Sequence, residues 1–257
     1  MFRKHGQKKV PETDAIFDNV ARQREIAATQ ANTLRISIDT KAKVKIGDSS
    51  RGGSSRSEQA VQAGDHDMGY DALLVPFGIL EQSRGDQAID QPFLVFGESR
   101  ETSDFLADSI ELWWNERKAE HRDVDCIQIE LDNGPEMSSS RTQFMRRMVE
   151  FSDRHQVTTH LVYFPPYHSK YNPIERVWGI LERHWNGTLL ETTESALQWA
   201  KTFTWKGHLP IVRRIESIYE KGIKLTKSAF AIFKSRLDRS ETVAKWSVRI
   251  KPQSAVH

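Results

Sequence analysis

Leu34, Ile36 and Ile38 alternate with Arg35, Ser37 and Asp39, a period of two that predicts a strand with one buried face. The same alternation returns at Ile127, Ile129 and Leu131 against Gln128, Glu130 and Asp132. Two apolar runs bounded by glycine or proline, Leu73–Leu80 and Phe93–Phe96, predict further strands, and Val157–Phe164 predicts another that Pro165-Pro166 stops. Helical spacing governs elsewhere. A helix capped by Ser103 and running to about His121 places Phe105, Leu106, Ile110 and Trp113 on one side. Phe144, Met145, Met148 and Val149 mark a second. The best-marked helix starts at Asn172, a favoured cap, with Pro173 at its first position. Ile174, Val177, Trp178, Leu181 and Trp185 form its apolar stripe, and Asn186-Gly187 closes it.

The early strands follow one another without a helix and suit a meander, whereas the later alternation of strand and helix demands crossovers and parallel neighbours. The expected fold is α/β: a mixed sheet of about five strands with helices on both faces. Residues 1–32 are polar and predict no folded unit, only a linker. The main domain is expected at 33–190, and 191–257 is expected to be a mainly helical extension. In that extension Pro210 and Gly222 bracket one helix and Thr226 caps another. Gly47–Ser57 (GDSSRGGSSRS) reads as a flexible loop that could track a nucleic-acid backbone, and it lacks the Gly-Lys-Ser ending of a nucleotide-binding P-loop.

Composition narrows the class. A chain of 257 residues, 38% hydrophobic and 28% charged, can bury a core and is not a disordered tail. The 37 basic and 35 acidic residues nearly cancel, so any nucleic-acid contact must come from local clustering rather than from an overall field. The single cysteine, Cys126, excludes an internal disulfide and fits a reducing, cytoplasmic setting. The longest apolar stretch, Ala72–Leu80, is broken by Pro76 and Gly78 and is far too short to span a bilayer. The basic N-terminus lacks the apolar centre of a secretory signal. No membrane partner is expected.

Three acids carry the candidate chemistry. Asp39 and Asp132 end matching alternations, and sites in α/β sheets gather at strand ends. If the two strands are neighbours, their carboxylates meet, and Glu175 joins them from the first turn of the Asn172 helix. Hard divalent cations take oxygen ligands and need few protein carboxylates. Two such ions about 4 Å apart can activate an attacking oxygen and stabilise a leaving one. Plainer readings stand beside this one. A strand-end Asp is commonly a turn residue, and Asn172-x-x-Glu175 has the spacing of a capping box. Glu182 shares Glu175's helix face and is a rival third ligand, and Asp67, Glu98 and Glu136 are further acids. His155 and His160 lack the second ligand pair a zinc site needs. Trp113, Trp114, Trp178 and Trp185 fall on core faces. Trp199 and Trp205 suit the core or base stacking. Arg146, Arg147, Arg176, Arg183, Arg213 and Arg214 could build a basic face or simply be solvated.

The segments around the acids add a resemblance. PPYHSKYNPIERVWGILERHWNG (Pro165–Gly187) resembles the third-acid motif of bacterial insertion-sequence DDE transposases, in the group called the Rhodopirellula-type transposase DDE domain. RISIDTKAKVKIG (Arg35–Gly47) resembles that group's first-acid segment and LDNGPE (Leu131–Glu136) its second. TSDFLADSIELWW and RTQFMRRMVEF between them also look familial, and the resemblance runs from about Thr13 to about Ile250. It implies an RNase H-like fold in which Asp39, Asp132 and Glu175 are the catalytic acids and hold Mg²⁺ or Mn²⁺, two ions in all. Glu182 then falls on a non-ligand position. The implied activity is cleavage of DNA at transposon ends and joining of the freed 3′-hydroxyl to target DNA, by a homo-oligomer in the bacterial nucleoid. Lys41, His168, Lys170 and Arg176 are the candidate DNA contacts, although a solvated polar loop explains His168 and Lys170 equally well. The family resembles longer chains with a helix-turn-helix region ahead of this domain. Here the match starts close to Met1, so specific recognition of transposon ends is not expected from this chain. A non-catalytic DNA-binding or regulatory remnant is the alternative function, and a nuclease that only hydrolyses is a third.

Overall fold

A computed structural model describes residues 10–48 and 71–253. Helix α1 (Thr13–Ala28) leads into β1 (Thr33–Thr40), and β2 (Val44–Ile46) follows. β3 (Ala72–Arg84) and β4 (Gln87–Gly97) form a hairpin, then α2 (Ser103–Arg117), β5 (Cys126–Leu131), α3 (Thr142–His155) and β6 (Thr158–Tyr163) alternate. α4 (Ile174–Trp185), α5 (Thr193–Ala200), β7 (Ile211–Ile215), α6 (Lys227–Lys234), β8 (Asp238–Arg239) and β9 (Ser247–Ile250) complete the described chain.

The strands make one mixed sheet in the order β7-β4-β3-β1-β5-β6-β9-β8, with β2 paired to β3. β1 lies at its centre, antiparallel to β3 and parallel to β5. The sheet is mixed because a tight hairpin returns β3 to β4, whereas α2 and α3 carry the chain across to parallel neighbours.

Each strand's alternation assigns its two faces. Leu34, Ile36 and Ile38 join the larger core with Phe105, Ile110 and Trp113 of α2 and Phe144 and Met148 of α3. Arg35, Ser37 and Asp39 therefore point to the opposite face. There Ile174, Val177, Trp178, Leu181 and Trp185 of α4 pack with Leu74, Leu80, Leu94 and Phe96, and Val20 of α1 packs with Val162 and Phe164. The helices cover both faces, as the sequence pattern requires.

Four expectations are corrected. The stretch before residue 33 holds α1, whose Ile16 is fully buried. The tail is mixed rather than mainly helical: Pro210 precedes the strand β7, and β8 and β9 extend the other side of the sheet. With these strands and β2 the sheet has 9 strands, not about five. Thr102, not Ser103, caps α2 by accepting from the Phe105 N–H, and α2 ends at Arg117. Thr226 does cap α6. Of the Gly47–Ser57 loop only Gly47 and Asp48 lie within the described residues, and Asp67 lies outside them.

Candidate active site

The parallel register pairs Ser37 with Glu130, so Asp39 and Asp132, each two residues further on, stand level on adjacent strands. Both project to the face that α4 covers. Glu175 enters from α4's first turn, and two devices hold that turn against the sheet. The first is a polar clamp. The fully buried Asn172 donates from Nδ2 to the Ile38 carbonyl at 2.9 Å, and its Oδ1 accepts from the Ser37 hydroxyl. The same Ser37 oxygen accepts from the Ile174 N–H at 3.1 Å. The second is a missing side chain. Gly78 sits opposite Asp39 on β3, and a Cβ there would lie 2.6 Å from the Trp178 ring and 2.9 Å from Ile174. Only glycine admits α4 this close.

The clamp also bears on the capping-box reading of Glu175. Asn172 spends its side chain on β1, and its backbone N–H donates to the Ser169 carbonyl. The capping box allowed by the sequence is not formed, and Pro173 at the N-cap supplies no side-chain cap of its own. Glu182, the rival acid, pairs with Lys41 at 2.5 Å. Glu98 pairs with Arg214, and Glu136 pairs with Arg141 and accepts from Ser103.

Electrostatics set the two aspartates apart from these paired acids. Burial pushes the Asp39 carboxyl up to about 8, and the neighbouring charges of Glu175 and then Asp132 add to the effect. Burial, with Glu175 beside it, raises Asp132 to about 6. The Trp178 indole lies close enough to Asp39 to favour its charged form. Its Nε1 nevertheless completes no hydrogen bond among the described residues, and neither does the buried Asp132 Oδ1. Polar atoms so placed are rarely left without a partner. Among the described residues no three His, Cys, Asp or Glu side chains converge into a closed metal cluster, so these carboxylates stand within electrostatic reach without forming a finished cage. An all-oxygen set with two aspartates of raised pKa and an orphaned carboxylate oxygen fits a hard divalent cation.

Beneath the acids lies a paired carboxylate. Glu130, two residues before Asp132, accepts from Arg24 at 2.9 and 2.6 Å, from Arg35 at 3.1 Å and from Gln82 at 3.2 Å. Burial alone would raise its pKa, but these donors hold it below the usual carboxylate value. Sequence reading missed this cluster, which ties α1 to the sheet. The alternation IQIEL placed Glu130 on the polar face without revealing that the face is buried.

The candidate DNA contacts separate. Lys41 is largely buried in its pair with Glu182. His168 is buried and bonds Pro166 within its own loop. Lys170 and Arg176 are exposed, the first in the turn before α4 and the second next to Glu175 in the chain. Arg146, Arg147, Arg213 and Arg214 are held in ion pairs rather than forming a free basic face. His155 bonds Glu111, while His160 lies inside the sheet against Ser247 and Arg249. Trp113, Trp114, Trp178, Trp185 and Trp205 are core, and Trp199 is 40% exposed.

A mixed sheet with acids at the ends of adjacent central strands, flanked by helices on both faces, is the RNase H-like arrangement. Comparison of folds agrees: a Mos1 transposase paired-end complex with left transposon end has TM-score 0.50 and 9% identity, covering 77% of this chain and 57% of that one. A Mos1 strand transfer complex (8% identity) and a Mos1 mariner paired end complex with Mn (10% identity) each have TM-score 0.46 with the same coverage. The chain thus spans somewhat more than half the length of these structural relatives. No curated protein matches the sequence. A family model described as the Rhodopirellula transposase DDE domain matches residues 1–252, and the chain belongs to that family.

Proposed function

We propose that this chain is the catalytic domain of a transposase that cuts DNA at transposon ends and joins the ends to target DNA. Asp39, Asp132 and Glu175 are its catalytic acids and metal ligands. The observation that carries this reading is the placement of those carboxylates within electrostatic reach of one another, with both aspartates held protonation-prone by burial and by the charge of Glu175, on one face of a family-matched fold. Two Mg²⁺ or Mn²⁺ ions, when bound, would neutralise the acids and supply Lewis-acid activation for phosphoryl transfer.

The protein's own part is positional. Asn172 and Ser37 fix the turn that bears Glu175. Trp178 and Ile174 bury the apolar side of α4 against the strands next to the acids. The exposed Lys170 and Arg176 would take DNA phosphates, and Lys41 would join them only by leaving Glu182. The expected setting is a homo-oligomer on paired DNA ends in the bacterial cytoplasm. Incubating the chain with transposon-end DNA and Mg²⁺ or Mn²⁺, then mapping products, tests the reading. Metal-dependent nicks at the ends and joined products are expected. Products independent of metal, or no products under any divalent cation, would overturn it.

A further inference from the structure

The loop between β6 and α4 leaves the sheet beside Asp132's strand, with the Phe164 N–H donating to the Leu131 carbonyl, and delivers Glu175 at its far end. Two aromatic rings stand on this loop in solvent: Tyr167 is 72% exposed and Tyr171 48%. Tyr167 also has φ +65°, a left-handed conformation that tyrosine adopts at a cost and asparagine or glycine would fill more easily. The turn is fixed on both sides. Pro165-Pro166 precedes it, the His168 N–H donates to the Pro165 carbonyl at 3.2 Å, and the His168 ring donates to the Pro166 carbonyl at 2.7 Å. From beneath, Phe17 of α1 meets His168 and Tyr171 edge-on, with centroids 5.3 and 5.0 Å apart. The Lys170 ammonium lies 5.2 Å from the centre of the Tyr171 ring. A rigid loop thus spends backbone strain to present aromatic surface and a cation at the acid end of the sheet. Neither ring is needed for the core.

We infer that Tyr167, supported by Tyr171 and Lys170, is a stacking platform for an unpaired nucleobase at the end of the DNA being processed. The inference rests on the proposed DNA-end chemistry of the neighbouring acids. Aromatic rings hold unstacked bases of any sequence, and a nearby ammonium takes the adjoining phosphate.

The test compares a duplex whose terminal two nucleotides are unpaired and carry 2-aminopurine with the same duplex fully paired, in EDTA so that no cleavage occurs. The full chain should bind the frayed end more tightly and change the 2-aminopurine fluorescence. Tyr167→Asn accommodates the left-handed backbone, so its melting temperature should hold or rise. Its affinity for the frayed end should fall about tenfold or more, with paired-end binding unchanged. Tyr167→Trp should keep the preference. The inference is overturned if Tyr167→Asn binds both duplexes as the native chain does, or loses both equally. A chain that shows the Tyr167-dependent preference yet never cleaves with Mg²⁺ would fail the transposase reading alone. One that cleaves without the preference would fail this inference alone.

Discussion

Asn172 stands where a helix cap is expected and does a different job. Its amide bridges Ser37 and the Ile38 carbonyl, so the turn carrying Glu175 is welded to the strand carrying Asp39. Asn172→Ala strands two buried groups on β1 and should cost about 1–3 kcal/mol in denaturant unfolding, with a fall in cleavage rate beyond what lost stability explains. Unchanged stability would show that the clamp is idle. Asp39 gives a pH prediction. Its carboxyl titrates near 3.8 in an open chain and at about 8 in the fold. Between those values the folded protein holds a proton that the unfolded chain has lost, so metal-free stability falls as pH rises across that window. Asp39→Asn should therefore raise the metal-free melting temperature at pH 8 and matter little near pH 4. Added Mg²⁺ should stabilise the native protein more at pH 8 than at pH 6, because binding displaces protons. Thermal scans at these pH values check both signs. The placement of the acids was readable from the sequence, because each ends a clear alternation or falls in a marked first turn. Their charge state was not, since it depends on burial that only packing creates.

At the scale of elements, α4 matters most, and its approach to β3 depends on one absent methyl group. Gly78→Ala would drive a carbon into the Trp178 ring and should destabilise the fold by about 1–3 kcal/mol while moving Glu175 away from the aspartates. Pairing it with Trp178→Leu should restore much of the stability. A Gly78→Ala variant as active and stable as the native chain would contradict the packing account. The sequence marked α4 through its apolar stripe, β1 and β5 through alternation, and β3, β4 and β6 through apolar runs bounded by glycine or proline. Helix α1 escaped because charge, not an apolar stripe, docks much of it: Arg24 reaches the buried Glu130, and only Ile16, Val20 and Ala27 bury as hydrophobics. β7 and β9 escaped for a related reason. IVRRI and SVRI are short and carry arginines, so their strand character comes from the sheet edges that receive them.

Across the whole molecule, charge is nearly balanced, and among the described residues Arg147, Arg213 and Arg214 are held by acids while cations such as Lys170 and Arg176 stand exposed for DNA. Such contacts are to phosphate and release counterions, so binding should be weak, steeply salt-dependent and nearly indifferent to sequence. Titrating transposon-end and scrambled DNA at two salt concentrations checks this. A strong preference for the ends that survives the higher salt would place specific readout within this chain. The central claim is that three particular carboxylates perform the chemistry, and it is tested most directly by metal-dependent DNA cleavage under single-turnover conditions. Asp39→Asn, Asp132→Asn and Glu175→Gln should each fold and bind DNA yet lose cleavage by at least about a hundredfold. Glu182→Gln, which frees Lys41 but touches none of the three, should keep most of it. Retained cleavage in Glu175→Gln, or its loss only in Glu182→Gln, would contradict the account.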